Sequence, residues 1–103
     1  MARKHTYENL AQQRVLKTLL ALFGHEVDGL SPSQIAKAVN TSMGNVTRDV
    51  YNLIESGVVE RLPHNDNLRI TPRVGQKALA ILTNIESATR RIEDTRNRYT
   101  REN

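Results

Sequence analysis

The amino-acid sequence predicts a mainly α-helical fold with one small β-hairpin, a winged helix-turn-helix followed by a long C-terminal helix. Three observations predict it. Between Ser31 and Thr71, two helical segments flank a tight turn and lead through Gly57 into two short strand-like runs. Upstream, apolar residues recur at helical spacing from about Asn9 to Phe23. Downstream of Thr71-Pro72, apolar residues alternate at spacings of three and four to about residue 99. The reading divides the chain into a winged helix-turn-helix domain over 1–71 and a dimerisation helix with a basic tail over 72–103.

Residues 1–8 are polar and basic and read as a mobile start. The first helix, about 9–23, buries one face through Ala11, Val15, Leu19, Leu22 and Phe23. Leu10, Leu16 and Leu20 widen that stripe, which calls for more than one packing neighbour, and Gly24 stops the helix. The second helix, 32–39, opens on a capping box, with Ser31 at the N-cap, Pro32 at the first helical position and Gln34 reaching back. Ile35, Ala36 and Val39 supply its buried side, and Asn40-Thr41 makes the turn. Ser42 caps the third helix, 43–56, whose inner face is Val46, Val50, Leu53 and Ile54. Gly57 takes the left-handed position after it. The wing, 58–71, comprises strands Val58–Leu62 and Leu68–Thr71 around the turn formers Pro63 to Asn67.

Thr71-Pro72 opens the last helix as N-cap plus proline. Ala78, Ile81, Ile85, Ala88, Ile92, Thr95 and Tyr99 form a heptad seam along it. At 1.5 Å per residue, a helix reaching residue 99 is about 40 Å long. Such a seam outruns a small domain's own core and calls for a partner helix, most simply the same helix of a second subunit. The seam weakens toward its end, which predicts fraying after about Asp94.

Composition narrows the function classes. The 103 residues suit one domain, and none is cysteine, which excludes a disulfide framework and a thiolate metal site. The N-terminus has no apolar segment of a secretory signal, and no apolar run approaches a membrane span, so a cytoplasmic protein is expected. The net charge of +4 is unevenly placed. Residues 1–72 carry 8 Lys+Arg against 7 Asp+Glu, and residues 73–103 carry 7 against 4. This charge permits DNA binding without requiring it.

The stretch from about Arg14 to Leu82 resembles the N-terminal winged helix domain of the IclR family of bacterial transcription regulators, and more distantly MarR-type repressors. The resemblance is carried by RVLKTLLALF, SPSQIAKAVNTSMGNVTRDVYNLIESGVVER and ITPRVGQKALAIL, with Val46–Arg61 the most specific block. Where IclR-type recognition helices usually show Ser-Thr before the buried valine, this sequence has Gly44-Asn45. The ligand-binding domain of that family is absent from the sequence, so induction by its route is not expected. A compact regulator without an effector domain is the kind that small mobile genomes and prophages encode, so a bacterial or phage regulator is expected.

With DNA as ligand, the third helix lies in the major groove. Asn45 has the chemistry to read adenine, and Arg48 to read guanine or hold a phosphate. Thr41, Ser42 and the helix N-terminus suit phosphate, with Thr47, Tyr51 and Asn52 on the same face. Arg61, His64, Asn65 and Arg69 place the wing at the minor groove or flanking phosphates. The plainer alternative is a solvated helix face and an ordinary hairpin. Asp49 is unfavourable near phosphate and is expected to point away or pair locally.

No metal site is expected, because His5, His25 and His64 lack cluster spacing. No nucleophile triad, Gly-rich phosphate loop or paired carboxylate set appears, so neither enzymatic activity nor a cofactor is expected. Arg90, Arg91, Arg96, Arg98 and Arg101 form a basic tail interleaved with acids up to Asp94, a pattern that fits coiled-coil flanks better than a nucleic-acid arm. The leading expectation is a homodimeric, sequence-specific double-stranded DNA-binding transcription regulator that acts as a repressor. The alternatives are a protein-interaction module with a protein partner, or an architectural or replication accessory protein of a phage or mobile element.

Overall fold

The computed structural model describes residues 6–101 and contains four helices and a two-stranded antiparallel hairpin. His5 and most of the polar start lie outside the described residues. The chain divides into two compact units between Thr71 and Pro72. The first holds α1 (Leu10–Ala21), α2 (Pro32–Val39), α3 (Met43–Glu55), β1 (Val59–Arg61) and β2 (Leu68–Ile70). The second is α4 (Pro72–Thr100).

Each element starts and stops where local chemistry satisfies free backbone groups. The Asn9 side chain accepts from the Gln12 amide at 3.0 Å and opens α1. At α2 the capping box closes reciprocally: Ser31 Oγ accepts from Gln34 N at 3.2 Å, and Gln34 Oε1 accepts from Ser31 N at 2.8 Å. Asn40 ends α2 in the left-handed region at φ 58°, which an Asn tolerates and which turns the chain sharply into α3. Ser42 Oγ then accepts from Asn45 N at 3.1 Å. Gly57, at φ 77°, sends the chain from α3 into β1.

The core of the first unit collects Leu22, Leu30, Ile35, Val46, Val50, Leu53, Val59, Leu62, Leu68 and Ile70, all buried. Burying one such side chain contributes about 2 kcal/mol. In the hairpin, Val59 pairs with Ile70 and Arg61 with Leu68, so alternation sends Val59, Leu68 and Ile70 inward. The strands are shorter than the sequence predicts. The Leu62 amide instead bonds to Asn67 O as the wing turns. Leu30 adds a bridge on the other side of β2, exchanging hydrogen bonds with Leu68 at 2.9 and 2.8 Å. Gly29 precedes it at φ 69°, where a Cβ would meet Leu68 O at 2.8 Å.

Three sequence expectations are corrected here. The first helix spans 10–21 rather than 9–23, with Phe23 in the turn beyond it and partly exposed. On α1, Leu10, Leu16 and Leu20 are 68%, 61% and 68% exposed, and Ala11 is exposed as well. One helix face can meet only one packed layer, and α2 and α3 take the face of Thr18 and Leu22. Third, α4 does not fray after Asp94. It continues to Thr100, and Arg101 N still bonds to Asn97 O at 3.0 Å.

Taken by itself, α4 has 29 residues, about 43 Å of helix, and buries none of them fully. Ile81, Ile85, Ile92 and Tyr99 are exposed along the seam, while Ala88 is half-buried. Leu79 and Leu82 are exposed as well and broaden the apolar surface in the N-terminal half. Thr95, in the seam, returns its hydroxyl to Arg91 O at 2.9 Å and so presents a satisfied polar group.

Candidate nucleic-acid interface

The inward stripe of α3 is Val46, Asp49, Val50 and Leu53, spaced i, i+3, i+4, i+7 and all buried. That stripe fixes which residues face out. Thr47, Arg48, Tyr51 and Asn52 are exposed, and Asn45 is half-buried at the first turn. The helix-turn-helix corner places Thr41, half-buried, and Ser42, exposed, beside that turn.

These polar groups are hydrogen-bonded to one another and to the helix. Arg48 Nη2 donates to Asn45 Oδ1 at 3.0 Å, and Asn45 Nδ2 donates to Thr41 Oγ1 at 2.9 Å. Asn52 Nδ2 donates to Arg48 O at 2.9 Å, and the Thr47 hydroxyl donates to Met43 O at 3.0 Å. Thr47 therefore turns its methyl rather than its hydroxyl proton outward. Tyr51 stands free of the helix surface at 63% exposure.

The electrostatics follow from where Asp49 goes. It does not sit on the outward face. It turns inward to Arg14 of α1, with Arg14 Nε 2.6 Å from Oδ2 and Nη2 2.9 Å from Oδ1. The hydrogen bond from Arg14 to Asp49 raises the Arg14 pKa above the ordinary arginine value; desolvation opposes it, and the charge of Asp49 adds to the rise. With that acid paired, Arg48 is the charged group on the outward face of the first three turns of α3.

The wing contributes unevenly. Arg61 is exposed and held only by a long contact to Asp66 O at 3.5 Å. His64 and Asn65 are exposed at the tip, where Asn65 Oδ1 accepts from Asn67 N and shapes the turn. Arg69 is tied down: its Nε lies 2.7 Å from Glu60 Oε2 across the hairpin, and Nη1 reaches Glu26 O at 3.4 Å. A phosphate at Arg69 would have to compete with Glu60.

Two clefts border this surface. One of about 600 Å³ lies between α1 and α3, with Val15 and Leu16 on one wall and Arg48 and Asn52 on the other. A smaller one, about 220 Å³, brings Gln13 and Lys17 of α1 beside Asn40 and Thr41. Lys17 is thus a phosphate-facing candidate that sequence reading passed over, because nothing local places α1 next to the turn. Arg14 was passed over too, although a signal existed: Asp49 falls on the apolar stripe of α3, and a buried carboxylate requires a cationic partner. Among the described residues no cluster of His, Cys, Asp or Glu is grouped to hold a metal, and no helix is long and apolar enough to cross a membrane.

Comparison with known proteins bears on this geometry. The family model for the MarR family matches residues 9–71. From sequence MarR was the more distant of two resemblances; the IclR type is not the family that matches. MepR, a transcription regulator of the Staphylococcus aureus multidrug efflux pump MepA, aligns over 84% of this chain and 75% of its own, at 23% identity and TM-score 0.51. The ORF112-Zalpha domain of Cyprinid Herpesvirus3, whose structure describes its binding mode to Z-DNA, aligns over 58% of this chain and 95% of its own, at 23% identity and TM-score 0.52. At those identities the two structures share the winged helix fold with this chain. No curated protein matches it.

Proposed function

The chain belongs to the MarR family, and on that premise we propose that it is a cytoplasmic, sequence-specific double-stranded DNA-binding transcription repressor that acts as a homodimer, with α3 in the major groove and no enzymatic activity. The observation that carries this reading is the outward face of α3. It presents one unopposed cation, Arg48, among hydrogen-bonding side chains, while the acid of the same helix is paired inside with Arg14. A recognition helix needs such a face. Thr41, Ser42, Lys17 and Arg61 surround it as phosphate contacts that would set the register.

The homodimer reading rests on apolar surface left open. The seam of α4 is exposed along Ile81, Ile85 and Ile92, and α1 adds Leu16 and Leu20. A second copy is the simplest cover for α4 and would set two recognition helices about 34 Å apart, one DNA turn. A protein-interaction module is the alternative, favoured by the near balance of 8 Lys+Arg and 7 Asp+Glu over residues 1–72.

Binding selection from a random duplex library, at about physiological salt, tests the proposal. An enriched inverted repeat is the expected result. Absence of enrichment would shift the weight to the interaction module. An alternating dC-dG duplex in the left-handed form belongs in the same assay, because the fold is shared with a Z-DNA binder. Preference for it over right-handed DNA would overturn docking of α3 in the major groove.

A further inference from the structure

We infer that Asn45 is a positioning residue and not a base reader: it sets the guanidinium of Arg48 and couples it to a phosphate contact made by the Thr41 hydroxyl. The inference rests on the DNA-binding reading above and deepens it.

The direction of each hydrogen bond in the chain Arg48–Asn45–Thr41 is fixed by chemistry. A guanidinium only donates. The Asn45 atom 3.0 Å from Arg48 Nη2 is therefore the carbonyl oxygen, and the amide nitrogen necessarily faces Thr41. That nitrogen donates to Thr41 Oγ1 at 2.9 Å. The hydroxyl has one proton, and with Oγ1 accepting from Asn45 that proton is turned away from it, toward any acceptor outside. The chain is polarised along its length, with donation running from Arg48 to Asn45 to Thr41 and ending on a free O–H. A phosphate oxygen is the acceptor that duplex DNA offers there. Lys17, which lines the same small cleft as Thr41, adds a positive charge beside that position.

Asn45 is held from both ends. Reading adenine requires both ends of its amide to turn to one base edge. Here the oxygen is held by a partner three residues on and the nitrogen by one four residues back, on opposite sides along the helix. Arg48 has the reverse property. One of its five N–H groups is spent on Asn45, which restrains the rotamer, and the others remain for guanine O6 and N7. Holding a long side chain in place beforehand lowers the entropy lost on binding. The phosphate contact at Thr41 and the base contact at Arg48 thus become one linked unit.

The test uses the full chain and the site returned by the selection experiment. Arg48→Ala is expected to lower discrimination for guanine at one position of each half-site by about tenfold. Asn45→Ala is expected to lower discrimination severalfold at that same position, and the double variant to be no worse there than Arg48→Ala alone. Thr41→Val should weaken binding to all sequences and, by releasing the Asn45 amide, also lower discrimination at the Arg48 position, by less than Arg48→Ala does. If Asn45→Ala instead abolishes preference at a different base position, and its effect multiplies with that of Arg48→Ala, Asn45 reads a base and the inference is overturned. A measurement on the free protein separates this failure from failure of the DNA reading. The side-chain amide resonances of Asn45 are expected to shift in both Arg48→Ala and Thr41→Val; resonances unmoved by either change overturn the inference whether or not DNA binds.

Discussion

Arg14 and Asp49 stand 35 positions apart in sequence and meet in a two-point ion pair, 2.6 and 2.9 Å, that joins α1 to α3. The Asp49 side chain is 4% exposed, while that of Arg14 is 22% exposed and keeps part of its length in water. The pair removes a negative charge from the helix proposed to enter DNA. It also fixes the roll of α3 against α1, and hence which residues of α3 face out.

Breaking this pair from one side leaves a buried carboxylate without a cation. Arg14→Ala is therefore expected to lower the urea midpoint clearly, and the double variant Arg14→Leu/Asp49→Leu to recover most of that loss. The raised Arg14 pKa adds stability that is fully present below the ordinary arginine value and is lost only as pH rises through the still higher folded value. The wild-type and double-variant midpoints should therefore differ by a constant amount across neutral pH. A difference that changes steeply there would contradict the assignment.

Arg48→Ala is expected to weaken binding to the selected site by about 1–3 kcal/mol while leaving the circular dichroism spectrum and thermal midpoint near wild type. Arg48 is exposed and its side-chain bond is to the exposed surface of its own helix, so little folding energy depends on it. Wild-type affinity in this variant would remove Arg48 from the interface.

The two wing arginines should separate by salt dependence. Each lost phosphate contact reduces the slope of log K against log salt by about 0.9. Arg61→Ala is expected to show that reduction. Arg69→Ala is expected to leave the slope unchanged, because its guanidinium is already satisfied by Glu60 and Glu26 O.

Ile35→Ala, at a site with no exposure, is expected to cost about 3 kcal/mol in chemical denaturation. Gly29→Ala should cost more than about 1 kcal/mol, since φ is positive there and the new Cβ would lie 2.8 Å from Leu68 O. Ser31→Ala removes one half of the capping box and should cost about 1 kcal/mol.

Ile85→Asp tests α4 apart from the DNA-binding unit. The side chain is 56% exposed in the single chain, so the substitution leaves the monomer folded. Sedimentation equilibrium is expected to show loss of dimer and a matching loss of affinity for an inverted repeat. An unchanged dimer would place the subunit contact elsewhere.

The helices, their caps and the wing were legible because each is a local event. Ser31-Pro32-Ser33-Gln34 closes its capping box within one turn, and Asn40, Gly57 and the Asn65–Asn67 tip turn the chain through their own backbone preferences. The inner stripe of Val46, Val50 and Leu53 is likewise a matter of helical period. The bridge of Leu30 to Leu68 was not legible, nor was the unbroken helix of α4 after Asp94, where the weakening seam predicts fraying.

By itself, then, the sequence determined the element order, the winged helix class and the side chains that face outward from α3, because these follow from periodicity and from caps a few residues long. Only the tertiary structure decided that Asp49 finds Arg14, that Lys17 stands beside Thr41, that Arg69 is engaged by Glu60, and that Leu16 and Leu20 stay uncovered. Those outcomes depend on which helix packs against which face, an arrangement set by shape and burial across the whole unit, which no short window of sequence contains.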